Sequence, residues 1–213
     1  MNNKLYEHYW LKIFYFEKFL KKILQYNRVK INKIIFNNIN FNNLSFIDIG
    51  TTPDIGDQHN TIFEYLKTKR DLSIFSNLDC TSISKKYKNI KNIFIGDARN
   101  IKITDKFDIV HSSATIEHVG SYNNQKKFIK ECYDLSNKYV VITTPNRNYP
   151  VDFHTKIPFI HLLPKKIHRF ILKTIGLKFF SLEENLNLLN ENDIKKMCQQ
   201  LMIYNYKLFF HKF

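Results

Sequence analysis

Acids and small polar residues stand just after five short apolar runs, and that placement is where chemistry would reside. Asp48, Gly50 and Thr51-Thr52-Pro53-Asp54 follow SFIDIG, Asp79 follows LSIFSNL, and Gly96-Asp97-Ala98 follow NIFIG. His111-Ser112-Ser113 close FDIVHSS, and Pro145-Asn146 follow YVVITT. In an open α/β sheet, ligands lie beyond the carboxyl ends of the strands, so these are the candidate binding positions. An acid after the second run (Asp79) is placed to hold a ribose diol. One after the third (Asp97) can accept from an adenine amino group. Together they suggest a cofactor containing adenosine.

The first loop narrows the choice. A dinucleotide needs G-x-G-x-x-G so that backbone N–H groups and a helix N-terminus can hold a pyrophosphate. Here only Gly50 is present, with Thr52 and Asp54 at the alternate positions, and Asp54 would repel a phosphate. An acid is tolerable beside an α-amino group and a sulfonium, which favours S-adenosylmethionine over NAD, FAD or ATP. The Walker pattern is absent.

The elements that would position these residues alternate. Strands are expected at 45–50, 72–78, 92–96, 107–113 and 139–144. Helical segments intervene at 61–69 (Asn60 as N-cap), 82–88 and 122–136. Such alternation implies a doubly wound, Rossmann-like α/β domain with a mainly parallel sheet and flanking helices. Residues 1–40 read as an N-terminal helical extension, with helices at 4–25 and about 29–38. Residues 41–213 form the main domain. An insertion at 145–182 interrupts its rhythm and carries a basic helix, on whose surface His161 and His168 are expected. A helix following Asn190 and a strand at about 203–212 close the chain, giving six strands in all.

The same residues carry a resemblance. The series D-I-G (48–50), the acid at 79, G-D-A (96–98), F-D-I-V-H-S-S-A-T-I-E-H-V (107–119) and V-I-T-T-P-N (141–146) resembles the class I S-adenosylmethionine-dependent methyltransferases, in particular the small-molecule group called type 11. It spans about 30–200. A branch of that group is similar in H-S-S-A…E-H-V-G, T-P-N-R…P…F-H-T…P and S…E-E-N-L-N-L-L, found at 111–120, 144–158 and 181–189. By this resemblance Asp48, Gly50 and Thr52 would support the methionine end. Asp79 would hold the ribose, Asp97 and Ala98 the adenine, and Ser112 and Ser113 would flank the sulfonium. His118 and His154 are then the candidate general bases, needed if the acceptor is a hydroxyl. Glu117-His118 also resembles the E-x-x-E-H of metal-binding methyltransferases that modify RNA 3′ ends. Ala114 replaces their first glutamate, so no metal is expected.

Composition bounds the partners. The chain has 213 residues, a net charge of +14 and three dispersed cysteines without a C-x-x-C pair, which suits a reducing, cytoplasmic setting. Twenty-eight of the 33 basic residues are lysine, and 24 Asn and 28 Ile accompany only two Ala. That bias is what A/T-rich codons produce, and arginine, preferred for phosphate and guanine contacts, is scarce, so nucleic acid is an unlikely partner. Helix 4–25 reads either as packed on the domain or as interfacial. In the second case it and the segment 165–178 would touch anionic membrane peripherally. The expected activity is methyl transfer to a small-molecule or lipid-linked acceptor. The alternative is a non-catalytic S-adenosylmethionine-binding or membrane-surface adaptor on the same fold.

Overall fold

The structure is a computed structural model that describes residues 17–55, 60–66 and 71–210. Residues 1–16, and with them most of the expected helix 4–25, lie outside the described residues. In order come α1 (Glu17–Asn38), β1 (Phe46–Ile49), α2 (Thr61–Leu66), β2 (Leu72–Ser76), α3 (Thr81–Lys86), β3 (Ile90–Ile95) and β4 (Phe107–Ser113). There follow a 3-10 turn (Ile116–His118), α4 (Tyr122–Leu135), β5 (Ser136–Thr143), a second 3-10 turn (Ile160–Leu162), α5 (Lys165–Thr174), α6 (Lys178–Ser181) and α7 (Glu191–Gln200).

The five strands form one parallel sheet in the order β3-β2-β1-β4-β5. Every residue of β1 and β2 is buried, which is why both read as short unbroken apolar runs. Alternation along β1 divides the core. Phe46 packs toward α1, α2 and α3 with Leu72, Ile74 and Ile109, whereas Ile47 and Ile49 pack toward α4 and α7 with Val110, Phe128 and Met197. A satellite cluster of Leu172, Phe180, Leu186 and Leu188 holds the insertion together. The three cysteines are buried and free.

Two expectations need correction. The sheet has five strands among the described residues, not six. Residues 203–210 make no strand: they pair with none of the five, and of them only Ile203 packs against a core cluster. Tyr204, Phe209 and Phe210 accordingly remain 74%, 54% and 45% exposed. Second, the helices expected at 4–25 and 29–38 are continuous through residue 27: α1 runs from 17 to 38 without a break. Asn27-Arg28 looks like an interruption in the sequence, yet Asn27 is buried and both residues line the cleft described below. Asn38 ends the helix by donating its amide to Ile34 O (2.8 Å). The cap of α7 matches expectation, with Asn190 and Asp193 bonding reciprocally in a capping box.

Candidate functional site

The strand order reverses between β1 and β4, and a cleft of about 1530 Å³ opens there, beyond the carboxyl ends of the strands. Helix α1 contributes Arg28, Ile31 and Asn32 to it, so the helical extension forms part of the wall. On the cofactor side, Gly50 turns the chain out of β1 at φ +86°, and a Cβ there would meet Thr115 Oγ1 at 2.2 Å. Only glycine fits this turn. The loop beyond it is tied down by Thr51 Oγ1 donating to Asp48 Oδ2 (2.5 Å) and Ser76 Oγ donating to Thr51 O (2.7 Å). Asn60, rather than capping α2 with its side chain, donates that amide to Thr52 O (2.9 Å) and Asp54 O (3.2 Å).

The structure sorts the expected cofactor residues. Gly50, Thr52, Asp97, Ala98 and Ser113 line the cleft together. Asp48 lines it too, but its carboxylate is spent internally, on Thr51 and on His111 Nδ1 at 2.6 Å. Ser112 is fully buried and donates to Ile49 O (2.8 Å), a strand-to-strand tie between β4 and β1. Asp79 lies outside the lining, its carboxylate accepting from Thr81 N (2.9 Å) and Oγ1 (2.5 Å) at the start of α3. These two hydrogen bonds pull its pKa below the ordinary value. Asp97 is half exposed and held by Arg99, whose Nε and Nη2 lie 2.9 and 2.5 Å from its oxygens; that contact lowers the Asp97 pKa.

The other wall is denser. Immediately after β4, Ala114 takes a left-handed conformation (φ +53°), its N–H donated to Thr143 O (2.9 Å), and this reverses the chain into the 3-10 turn. Glu117 on that turn is fully buried; Thr144 donates to its Oε2 (3.0 Å), and its Oε1 has no hydrogen-bond partner. His118 donates Nδ1–H to Asn185 O (2.6 Å) and meets the His154 ring edge-on, centroids 4.9 Å apart. His154 Nδ1 lies 2.9 Å from Asp152 Oδ1, and its Nε2 lies 3.7 Å from Glu117 Oε1. Asp152 is buried at the head of a tight turn, accepting also from His154 N, Thr155 N and Thr155 Oγ1.

Electrostatics separates the two histidines. Burial lowers the His118 pKa, and the charge of His154 lowers it further. Burial also works against charging His154, but the hydrogen bond and charge of Asp152, with Glu117 beyond, outweigh it and raise its pKa. Arg28 is pushed down by burial while Glu117 and Asp54 oppose that shift, which places its guanidinium within their field.

The turn carrying Glu117 and His118 is clamped from the chain's far end. Asn187 N donates to Glu117 O (2.8 Å), Asn187 Nδ2 donates to Gly120 O (2.8 Å), and Gln125 Nε2 bridges Ile116 O (3.1 Å) and Asn187 O (2.6 Å). Three separate stretches, 111–120, 144–155 and 183–189, therefore meet at one wall. The structure brings His118 and His154, separate candidates in the sequence, into one group, and adds Asp152 and Arg28, which that reading missed. The D-x-H spacing of 152–154 was an available signal for the first. No local signal marks Arg28, 89 residues before Glu117. His161 and His168 were expected on the surface but are buried, His161 Nε2 lying 2.7 Å from Tyr149 O.

Residues 71–138 match the family model for a methyltransferase domain. No curated protein matches the sequence. Among solved structures, magnesium protoporphyrin IX methyltransferase from Synechocystis PCC 6803 with bound SAH is similar at a TM-score of 0.59 and 12% identity, over 93% of this chain and 82% of that one. A structure assigned as a methyltransferase from Bacillus halodurans C-125 is similar at 0.54 and 13% identity, over 79% and 66%. An S-adenosylmethionine-dependent methyltransferase from Clostridium acetobutylicum ATCC 824 matches at 0.45 and 13% identity, over 58% and 50%. The chain spans about half the length of the first structures it matches. At these identities the likeness is one of fold, and the fold is that of the class I S-adenosylmethionine-dependent methyltransferases.

Proposed function

We propose that this chain, folded as class I methyltransferases are, is an S-adenosylmethionine-dependent methyltransferase acting on a small-molecule or lipid-linked acceptor. The observation that carries the reading is the cleft at the β1/β4 switch point. One wall offers a glycine turn with Asp97, Ala98 and Ser113, and the other a buried His118–His154–Asp152 group.

The cofactor side fits the group it would hold. The Gly50 turn leaves backbone rather than side chain facing the methionine end, and Thr52 stands beside it. Asp97 offers carboxylate oxygens to an adenine amino group, with Arg99 sharing them, and Ala98 gives an apolar contact. Asp48 acts one step back, holding the turn through Thr51. Asp79 reaches a ribose only after releasing Thr81, so it is the weakest member of the set. When bound, S-adenosylmethionine supplies an electrophilic methyl group on a sulfonium and a neutral thioether leaving group.

The chain's own residues supply alignment and a place for the proton. Asp152 accepts from His154 Nδ1–H, fixing the neutral tautomer with its lone pair on Nε2. The raised basicity of His154 suits it to take a proton from an acceptor hydroxyl as the new bond to the methyl carbon forms. His118, less basic and tied to Asn185, positions rather than receives. The insertion completes the acceptor side.

A lipid-linked acceptor is supported by the insertion's outer surface. Ile167 and Phe170 share one face of α5 by their spacing and are 49% and 70% exposed, with Leu163 39% and Phe159 62% exposed nearby. Phe159 holds a left-handed conformation (φ +64°), stabilised by its N–H donating to Pro150 O at 2.8 Å. Lys166, Lys173 and Lys178 accompany this patch, an arrangement suited to peripheral contact with an anionic bilayer. No helix of the described residues is long and apolar enough to cross a membrane.

Calorimetry with S-adenosylmethionine and S-adenosylhomocysteine, then a transfer assay with methyl-labelled cofactor over extracts, tests the reading. Binding without transfer would favour the non-catalytic alternative. Absence of binding would overturn both.

A further inference from the structure

Among the buried side-chain atoms without a hydrogen-bond partner in the described residues, one is a carboxylate oxygen. Glu117 is fully buried, yet its Oε1 has no hydrogen-bond partner. An unmatched buried carboxylate oxygen is costly and signals a missing partner. We propose that Glu117, His118 and His154 bind one divalent transition-metal ion.

Four observations converge on this site. One ligand atom from each of the three residues lies within 4.8 Å of the others, and no other such group occurs among the described residues. Both imidazoles have their tautomer fixed from behind, because a carbonyl and a carboxylate can only accept. His118 Nδ1–H goes to Asn185 O (2.6 Å) and His154 Nδ1–H to Asp152 Oδ1 (2.9 Å). In the neutral rings the lone pairs are then on Nε2, the arrangement metal-ligating histidines adopt. Third, Thr144 orients Glu117 through Oε2 and leaves Oε1 to ligate. Fourth, two buried carboxylates, Glu117 and Asp152, flank the same imidazole, a concentration of negative charge that a bound cation offsets.

Two histidines and one glutamate form a known ligand set for Zn²⁺, whose bonds of about 2.0–2.2 Å put tetrahedral ligands ~3.3 Å apart. The observed spread of 4.8 Å closes by roughly 1.5 Å on binding. Rotation of the Glu117 carboxylate and small tilts of the two rings supply that contraction. Because His118 and His154 line the cleft, the fourth position faces it and would take an oxygen of the acceptor, whose proton then leaves to solvent, since the His154 lone pair is held by the metal. The proposal revises the sequence expectation of no metal, which rested on Ala114 replacing a glutamate. His154, brought in by the insertion, supplies a third ligand from a different part of the chain.

The acceptor clause rests on the proposed transfer reaction, but metal binding does not, and it is tested without cofactor. Full-length protein lacking a histidine tag is stripped with chelator and titrated with Co²⁺ and then Zn²⁺. One equivalent of Co²⁺ should give visible d–d bands that one equivalent of Zn²⁺ removes. Glu117→Gln and His154→Ala should lose affinity beyond the ~10–100-fold that changes in supporting groups cause, and Asp152→Asn should fall within that range. Circular dichroism separates loss of ligands from loss of fold. No saturable binding by the wild-type chain overturns the site whatever the variants do. Retention of wild-type affinity by folded Glu117→Gln and His154→Ala overturns it equally. Either failure leaves the transfer reaction standing, with the His154–Asp152 pair as proton acceptor.

Discussion

Gly50→Ala is the sharpest perturbation of the cofactor side. Two separate costs apply. At φ +86° an L-residue is strained by about 1–2 kcal/mol. The new Cβ would also stand 2.2 Å from Thr115 Oγ1, 2.5 Å from its Cγ2 and 2.9 Å from its Cβ, so Thr115 must move. Overpacking of this kind costs typically about 1–3 kcal/mol. The hydrogen bonds that hold Thr115, to Ile49 O at 3.4 Å and Ser113 O at 3.3 Å, are long and give little resistance. The expected total is about 2–5 kcal/mol, or a melting-point fall of roughly 5–15 °C for a chain of this size. A double-mutant cycle separates the costs. Thr115→Gly removes all three clashing atoms, so in that background Gly50→Ala should cost only the ~1–2 kcal/mol of backbone strain. Urea unfolding of the four proteins gives the coupling energy. A single-mutant loss below about 1 kcal/mol, or a cycle without coupling, would refute the geometry of this turn.

Asp97→Ala should weaken S-adenosylmethionine binding roughly 10–100-fold by losing a charge-assisted hydrogen bond. It should hardly change stability, since the ion pair with Arg99 is half exposed; calorimetry with unchanged affinity would remove Asp97 from the site. Asp48→Ala should destabilise by about 1–3 kcal/mol, since it leaves the buried His111 Nδ1 unmet, while Thr51 Oγ1 keeps the Asp48 carbonyl. A denaturation midpoint like that of the parent would contradict the tie. Burial lowers the His168 pKa from 6.5 to about 4, so the unfolded chain takes up this proton before the folded one does. Stability should therefore be full above about pH 6.5 and decline toward pH 4; urea midpoints for His168→Gln should fall less across that window. Phe170→Glu should reduce sedimentation with anionic vesicles, and salt should release the parent protein, as screening acts over about 8–10 Å at physiological ionic strength. Equal sedimentation with neutral vesicles would argue against the charged contact.

The central sheet was legible because β1, β2 and β4 are buried apolar runs whose chemistry-bearing residues sit at their carboxyl ends. The capping box at Asn190 was legible for a similar reason, since the signal lies within four residues. What escaped depends on distant neighbours. Asn27 and Arg28 look like a helix break until the cleft that receives them is known. His161 and His168 look like polar residues of a basic helix, but the insertion folds back over them. Asp48 and Ser112 carry the right residue types at the right positions, yet register places Asp48 beside His111 and Ser112 against β1, so both bind protein. The 203–210 tail has a strand's alternation, yet it pairs with no strand of the sheet. His118 and His154 were separately visible, but nothing in the sequence showed that their rings touch.

The clamp on the Glu117 turn also orders events in time. The contact between His118 and Asn185 spans 67 residues, and closing a loop of that length costs about 4 kcal/mol of chain entropy before any contact repays it. The glycine turn and the first three strands, by comparison, are joined by short crossovers. A chain emerging from its amino end can therefore assemble the cofactor half early. It cannot fix the acceptor wall until residues 183–190 arrive. The two walls of one cleft are thus made in sequence, the Gly50 wall first and the Glu117 wall last, so on the proposed reading a partly made chain has a place for a cofactor before it has one for an acceptor.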